Sequence, residues 1–288
     1  MGQGQRGVAL ISVLLVMSLA LLLTGAMLRS HRLLIATTAQ QIHQVHLRQL
    51  SLAGERWARE QLGQGPSDED SKRLRTHLGQ AWAREEMPLD VDGGKVQVRI
   101  VDLAGRFNLG TVFRGGKVDP ITLGRWTRLL EQLDIPPFAM PEQATGGLDN
   151  FSQLRLLAGV DGRALALLRP WVSVLPTAAS LNVNTAPAQV LASLQGVSLA
   201  RANQLVSQRP AEGYASVQEF SQSQALAGLD IGSHGLGVDS RWFRVSVDAE
   251  LGGQRMRLIS DFERNDKDHR LRLLQRQFLA PNSSEFPL

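Results

Sequence analysis

From Val8 to Leu28 the chain carries no charge, and this run constrains everything that follows. It is mostly aliphatic, broken only by Ser12, Ser18, Thr24 and Gly25. At ~1.5 Å per residue, a helix of that length is roughly 30 Å long, enough to cross the hydrocarbon core of a bilayer. A secretory signal peptide is one alternative, with Thr24-Gly25-Ala26 as a small-residue cleavage site. The run exceeds the ~7–15 apolar residues such peptides use. A buried soluble helix is the other alternative, and an apolar run this long at an N-terminus argues for a membrane instead. Charge does not fix the orientation: Arg6 and the amino terminus precede the span, while Arg29, Arg32, Arg48 and Arg56 follow it. The mean hydropathy of −0.10 excludes a multispan protein.

The helical pattern continues beyond the apolar run. Ile35, Ala39, Ile42, Val45, Gln49, Ala53 and Trp57 recur every three or four residues, a narrow stripe on an otherwise polar helix. The spacing predicts one continuous helix to about Leu62, ended by Gly63 and the GQGPS stretch. His43 and His46 share a face of it at i, i+3, and a solvated polar face accounts for them without a metal.

A second helix is expected from Ser67 to Glu86, with Ser67 and Asp70 as a capping box and Pro88 beyond its end. Asp92-Gly93-Gly94 is hairpin-turn chemistry, and Val96, Val98 and Ile100 alternate with Gln97 and Arg99 as in a strand with one buried face. From about Gly110 to Gly237 the texture becomes one of short capped helices. Asp119-Pro120 opens one, Asp149 or Ser152 another, and Asp161 a third. Asn184-Thr185 precede a helix closing at Gly196, Ser198 opens the next, and Ser216 with Glu219 forms a further capping box. Strands return over Trp242–Glu250, Gln254–Phe262 and His269–Phe278, joined at Gly252-Gly253 and Asn265-Asp266 as an antiparallel meander. The expected fold is α+β: a long N-terminal helix packed on an antiparallel sheet, with an all-α domain inserted between strands and projecting from one end.

With 288 residues, the chain has length for one or two domains. It has no Cys, so a disulfide framework, a thiolate metal site and a Cys nucleophile are excluded. A net charge of +4 is weak evidence for nucleic acid. No Walker loop, HExxH or GxSxG occurs, and Ser233 and His234 are adjacent, which cannot make a nucleophile–base pair. No catalysis is implied. Asp261 and Glu263 alternate on one strand, with Asp266 and Asp268 in the following turn; such a cluster offers oxygen ligands for calcium, and a solvated acidic turn is the alternative. Asp90 and Asp92 form a weaker second cluster.

Several stretches in order resemble one family. Arg6-Gly7 before Val8-Ala9-Leu10-Ile11 is similar to a prepilin peptidase site, and a helix that turns from membrane-apolar to amphipathic has the layout of a type IV pilin. Val101-Asp102-Leu103-Ala104-Gly105-Arg106-Phe107-Asn108-Leu109 resembles a strand end before a helical insert. Leu181-Asn182-Val183-Asn184-Thr185-Ala186 resembles the opening of a second helical subdomain, and Gly237-Val238-Asp239-Ser240-Arg241-Trp242-Phe243 the return to the sheet. Together, over essentially the whole chain, they resemble the minor pseudopilin K of bacterial type II secretion systems. Gly110 departs from the pattern, where Asn is expected.

The resemblance implies a division of the chain: a leader over 1–7, a transmembrane helix over 8–28, and a pilin-like helix with first strands over 29–110. An inserted domain over 111–237, completing strands over 238–280 and a tail over 281–288 follow. It implies cleavage between Gly7 and Val8 by a prepilin peptidase, with methylation of the new terminus, and a single-pass inner-membrane protein whose C-terminal domain is periplasmic. It implies minor pseudopilins I and J as partners, contacts with the major pseudopilin, the secretin or cargo, and makes calcium plausible. The fifth residue after that cleavage is Ser12, where most pilins and pseudopilins have a Glu that pairs with the α-amine of the preceding subunit. A carboxylate in the bilayer needs such a partner. Ser12 lacks the charge, which suits a subunit that is first, at the tip. Read without the family, Ser12 is a small residue with helix-packing value.

A membrane-anchored DNA receptor of natural transformation is the competing function. The helices flanking Gly196-Val197-Ser198 resemble a helix-hairpin-helix. Between Ser180 and Ala225 only Arg201 and Arg209 are basic, offset by Glu212 and Glu219, and Ser198 stands where a second Gly is common. A phosphate-binding face needs a basic stripe, so no nucleic-acid partner is expected.

Overall fold

The computed structural model describes residues 5–63, 75–84, 89–91, 93–114, 117–138, 150–157, 159–265 and 268–279. Helix α1 runs unbroken from Gln5 to Gly63. Its Leu10–Gly63 portion contains a window of mean hydropathy 2.5, none of which is buried. Strands β1 (Leu89–Val91) and β2 (Gly94–Asp102) form the expected hairpin, with Asp92 itself outside the described residues. Three long strands close the chain: β9 (Trp242–Leu251), β10 (Gln254–Arg264) and β11 (Leu271–Leu279). All pairings are antiparallel and the sheet order is β1-β2-β9-β10-β11. Gly252 and Gly253 both have positive φ, the conformation a two-residue turn between right-twisted strands requires.

The sheet lays one face on the lower half of α1. Phe243, Val245, Val247 and Ala249 of β9 alternate inward and meet Leu47, Leu50, Ala58 and Leu62 of the helix. Gly54 lets the two layers approach: a Cβ there would stand 2.7 Å from Val247 Cγ1 and 3.0 Å from Val96 Cγ1. The face so buried is 47/50/51/54/55/58/62, not the stripe picked out by apolar spacing. Ile42 and Val45 of that stripe are 52% and 54% exposed. The outward face of the sheet is held by directly opposed ion pairs, Arg244–Asp261, Arg255–Glu250, Arg257–Asp248 and Arg272–Glu263. A bulge between Asp261 and Phe262 against β11 explains why LRLLQRQFL does not alternate.

The expected helix from Ser67 to Glu86 is not what the described part forms. Residues 67–74 and 85–86 lie outside the described set, and Arg75–Gln80 is irregular, followed by a 3₁₀ turn over Ala81–Ala83. The backbone there is engaged elsewhere: Thr76 N donates to Val238 O, which an intrahelical ladder would forbid. Trp82 instead packs edge-on to Phe243 in the sheet core.

Between β2 and β9 lies the insert. Its helices are α2 (Pro120–Gln132), α3 (Gly162–Leu168), α4 (Ala188–Leu191), α5 (Leu199–Ser207) and α6 (Val217–Ser221). Asp119, Asp161, Ser198 and Ser216 each accept from a backbone N–H three residues on, as N-caps do. The segment opened by Asn150 is a 3₁₀ helix over Phe151–Leu156. Asn150, not Asp149 or Ser152, is its cap, and Asp149 lies outside the described residues. Two-residue strands accompany the helices: β3 (Phe107–Asn108) pairs with β6 (Val172–Ser173), β4 (Phe113–Arg114) with β5 (Lys117–Val118), and β7 (Leu181–Asn182) with β8 (Leu236–Gly237). Trp126, Leu129, Leu168, Val183, Leu191 and Phe220 belong to a core of its own. Gly110, where the family pattern expects Asn, has no room for a side chain: its Cβ would stand 2.1 Å from Leu175 O.

Candidate assembly surfaces

The insert leaves the sheet at Asp102 and returns at Trp242, at one end of the paired strands β2 and β9. Asp102 is 3% exposed. Its Oδ1 accepts from Ala104 N (2.8 Å) and Ser240 Oγ (2.5 Å), and its Oδ2 from Asn182 Nδ2 (2.9 Å) and Thr185 Oγ1 (2.6 Å). These donors come from the exit, the return and the Leu181–Ala186 segment, so one carboxylate ties three strands of chain together. Burial pushes its carboxyl up from the ordinary value, and the four hydrogen bonds pull against that. Ser240 N donates to Thr76 Oγ1, and the buried Arg264 Nη2 donates to Ser240 O, extending the network to the sheet. Leu103, Ala104, Leu175, Ala179 and Trp242 form a small apolar cluster around this junction.

A second tie joins α1 to β11. Glu55, 3% exposed, accepts from Arg276 Nη2 (2.5 Å) and Nε (2.8 Å) and from Ser260 Oγ (2.6 Å). Neither Glu55 nor the role of Asp102 was legible in spacing or motif. The one available signal was that Glu55 lies one helical turn from Ser51.

Above Leu47, the described side chains of α1 are exposed. Leu10 through Val45 are exposed, among them Ile35 at 69%. Ser12 sits on this surface. Gly7 and Val8 fall in the first turns of the helix. His43 and His46 are exposed, and His43 lies against the Gly252 turn.

The acidic cluster behaves as part of the sheet. Arg244 holds Asp261 through two hydrogen bonds (2.7 and 2.9 Å), and Arg272 holds Glu263. Asp268 accepts from Arg270 N (3.2 Å), and Asp266 lies outside the described residues. Among the described residues no group of three or more metal-ligating side chains gathers. Asp261 and Glu263 are thus each paired with a guanidinium within the sheet.

The helical hairpin α4–α5 turns at Gly196, with φ of +76°. Ser198 Oγ takes the Arg201 N–H, which a phosphate would need. Arg209 turns inward, its Nη2 donating to Ala186 O at 2.5 Å. His234 Nε2 donates to Asp119 (2.9 Å), so it is a loop residue paired with a helix cap.

Comparison with known proteins agrees with this architecture. The family model for type II secretion system protein K matches residues 181–239, the stretch from β7 to the return junction. The type II secretion system protein K of Pseudomonas aeruginosa is 33% identical, covering 96% of this chain and 93% of its own. That of Klebsiella pneumoniae is 28% identical, over 88% and 91%. A chain from the crystal structure of the GspK-GspI-GspJ complex of the enterotoxigenic Escherichia coli type 2 secretion system superposes with a TM-score of 0.69 at 23% identity. It covers 84% of this chain and 98% of that one, which establishes the shared fold. The matched family and the relatives named here are all type II secretion system proteins.

Proposed function

The chain belongs to the type II secretion system protein K family, and on that premise we propose that it is the minor pseudopilin at the tip of the pseudopilus. There it initiates or caps assembly with pseudopilins I and J, in support of protein export across the outer membrane. Residues up to Gly7 are removed by a prepilin peptidase, leaving Val8 first. The apolar half of α1 is set in the inner membrane and the sheet and insert stand in the periplasm.

The observation that carries this reading is the outward flank of α1. From Leu10 to Val45 it is apolar at Ile35, Ile42 and Val45 and exposed, while the sheet packs on the opposite, lower face. Apolar helix surface in line with a membrane span is what parallel helices of neighbouring subunits bury. The insert adds a reason for the end position: a domain projecting from one end of the sheet obstructs subunits stacked beyond it. Ser12 adds another, because it brings no carboxylate to an α-amine ahead of it.

The test is assembly with the I and J pseudopilins in membranes. Ile42→Asp with Val45→Asp should reduce their co-isolation with this chain. Labelled chain should appear at filament ends, and Ser12→Glu should not increase its incorporation. Recovery along the shaft at a stoichiometry near that of the major subunit overturns the tip assignment. A mature N-terminus at Met27 rather than Val8 overturns the pilin-type anchor. The DNA-receptor alternative draws no support from Arg209, which is spent on the backbone.

A further inference from the structure

At the start of α2 the insert holds a cleft of about 310 Å³, lined by Gly124, Arg125, Arg128, Leu194, Ile231 and His234. Arg125 and Arg128 are three apart on one helix and share a face. Arg125 is only 9% exposed, yet among the described residues it has no hydrogen bond or ion pair. The Arg128 charge acts against its own, with Asp119 acting in the opposite sense. Burial first, then the Arg128 charge, pushes its pKa down. Arg128 is held in place by Nε donating to Ser193 O (2.7 Å), and its guanidinium lies over Gly124, where a Cβ would be 3.6 Å away. Gly235 leaves Arg125 Nη1 open in the same way, again at 3.6 Å.

The acids nearby do not answer these charges. Asp119 caps α2 and takes His234, and among the described residues Asp230, at the cleft wall, forms no ion pair with either arginine. Two like charges, one of them buried and unpaired, are costly unless a counterion is supplied. A planar oxyanion between two guanidinium forks meets that need with paired hydrogen bonds. The remaining wall combines aliphatic Leu194 and Ile231, with Ile121 at the rim 50% exposed, and polar Gln195, Asp230 and His234. An inorganic ion has no use for its aliphatic part, whereas an acidic residue next to an aliphatic one does. We propose that this cleft is a binding site for a polypeptide carboxylate, clamped by Arg125 and Arg128 with its aliphatic neighbour against Leu194 and Ile231.

The test uses the full chain in detergent and isothermal titration with the blocked dipeptide N-acetyl-Ile-Asp, succinate and inorganic phosphate, against sodium chloride at matched ionic strength. The dipeptide should bind, and more tightly than succinate. Arg125→Met should abolish that binding while melting no lower than the parent chain, because it removes an unpaired buried charge. Should Arg125→Met not fold, Arg125→Lys keeps the charge without the fork and should weaken binding about tenfold. Arg155→Met, at an exposed site, should change nothing. A dipeptide no better than chloride, or binding unchanged in both Arg125 variants, overturns the site. Binding of phosphate but not of the dipeptide overturns the polypeptide assignment.

Discussion

Glu55 of the long helix and Arg276 of the last strand, 221 residues apart in sequence, face each other in a two-point ion pair at 2.5 and 2.8 Å. The pair fastens α1 to the edge of the sheet, where strand pairing alone gives β11 a single neighbour. Removing one member leaves the other in a mostly dry site. Glu55→Gln should destabilise the chain by about 3 kcal/mol, the low end for a broken buried pair because Arg276 keeps 34% side-chain exposure. Denaturant unfolding measures it, and Glu55→Gln with Arg276→Met should recover part of the loss.

Asp102→Asn should cost about 1–3 kcal/mol, since the amide nitrogen must face a donor it cannot accept from. The wild type also carries a pH signature here. The folded-state pKa of Asp102 lies above its unfolded value. Its contribution is therefore fullest below the unfolded pKa and is lost as pH rises through the folded one. Urea midpoints across that window should fall with rising pH in the wild type relative to Asp102→Asn. An identical pH course in both would contradict the assignment.

Gly54→Ala sets two effects against each other. Alanine favours a helix by about 1 kcal/mol, but a methyl 2.7 Å from Val247 Cγ1 overpacks the interface by about 1–3 kcal/mol. The net expectation is a lower melting temperature, and Val247→Ala in the same chain should restore some of it.

Asp119 runs opposite to Asp102 in pH. Burial raises its pKa, but hydrogen bonds from Thr122 and the neighbouring His234 outweigh this and leave it lowered. A depressed folded pKa gives stability that is present above the unfolded value near ~4 and is lost as pH falls through the folded one. Asp119→Ala should cost about 1 kcal/mol at neutral pH, and the deficit should shrink on acidification. Melting curves at stepped pH check both parts.

Much of the fold could be read from local chemistry. Asp119, Asp161, Ser198 and Ser216 are caps because their oxygens satisfy amides three residues away, a relation confined to one turn. The alternation of β2 and the paired glycines at 252–253 were legible for the same reason. What failed was non-local. The inner face of α1 contains Ser51, Gly54 and Glu55, which read as polar until Val247 and Arg276 arrive from the far end of the chain. Ile42 and Val45 mark an apolar stripe by spacing, but only the sheet's arrival on the opposite face shows that the stripe is left exposed. Arg75–Gln80 left helical geometry because Thr76 is claimed by Val238 and Ser240. The arginines directly opposite on neighbouring strands that meet Asp261 and Glu263 are equally invisible to local spacing.

The β2–β9 pairing, in which Asp102 stands opposite Phe243, has a consequence for how the chain folds. Two neighbouring strands are separated by the whole insert, and closing so long a flexible loop is slow even though its entropy grows only logarithmically with length. If the insert folds first, its entry and exit emerge side by side, pinned at Asp102 and Ser240. The strands then meet as though joined by a short rigid turn. By the same token the sheet has no stake in what fills that turn, provided both ends emerge together, and the insert can change in size or shape without disturbing the helix and strands beneath it.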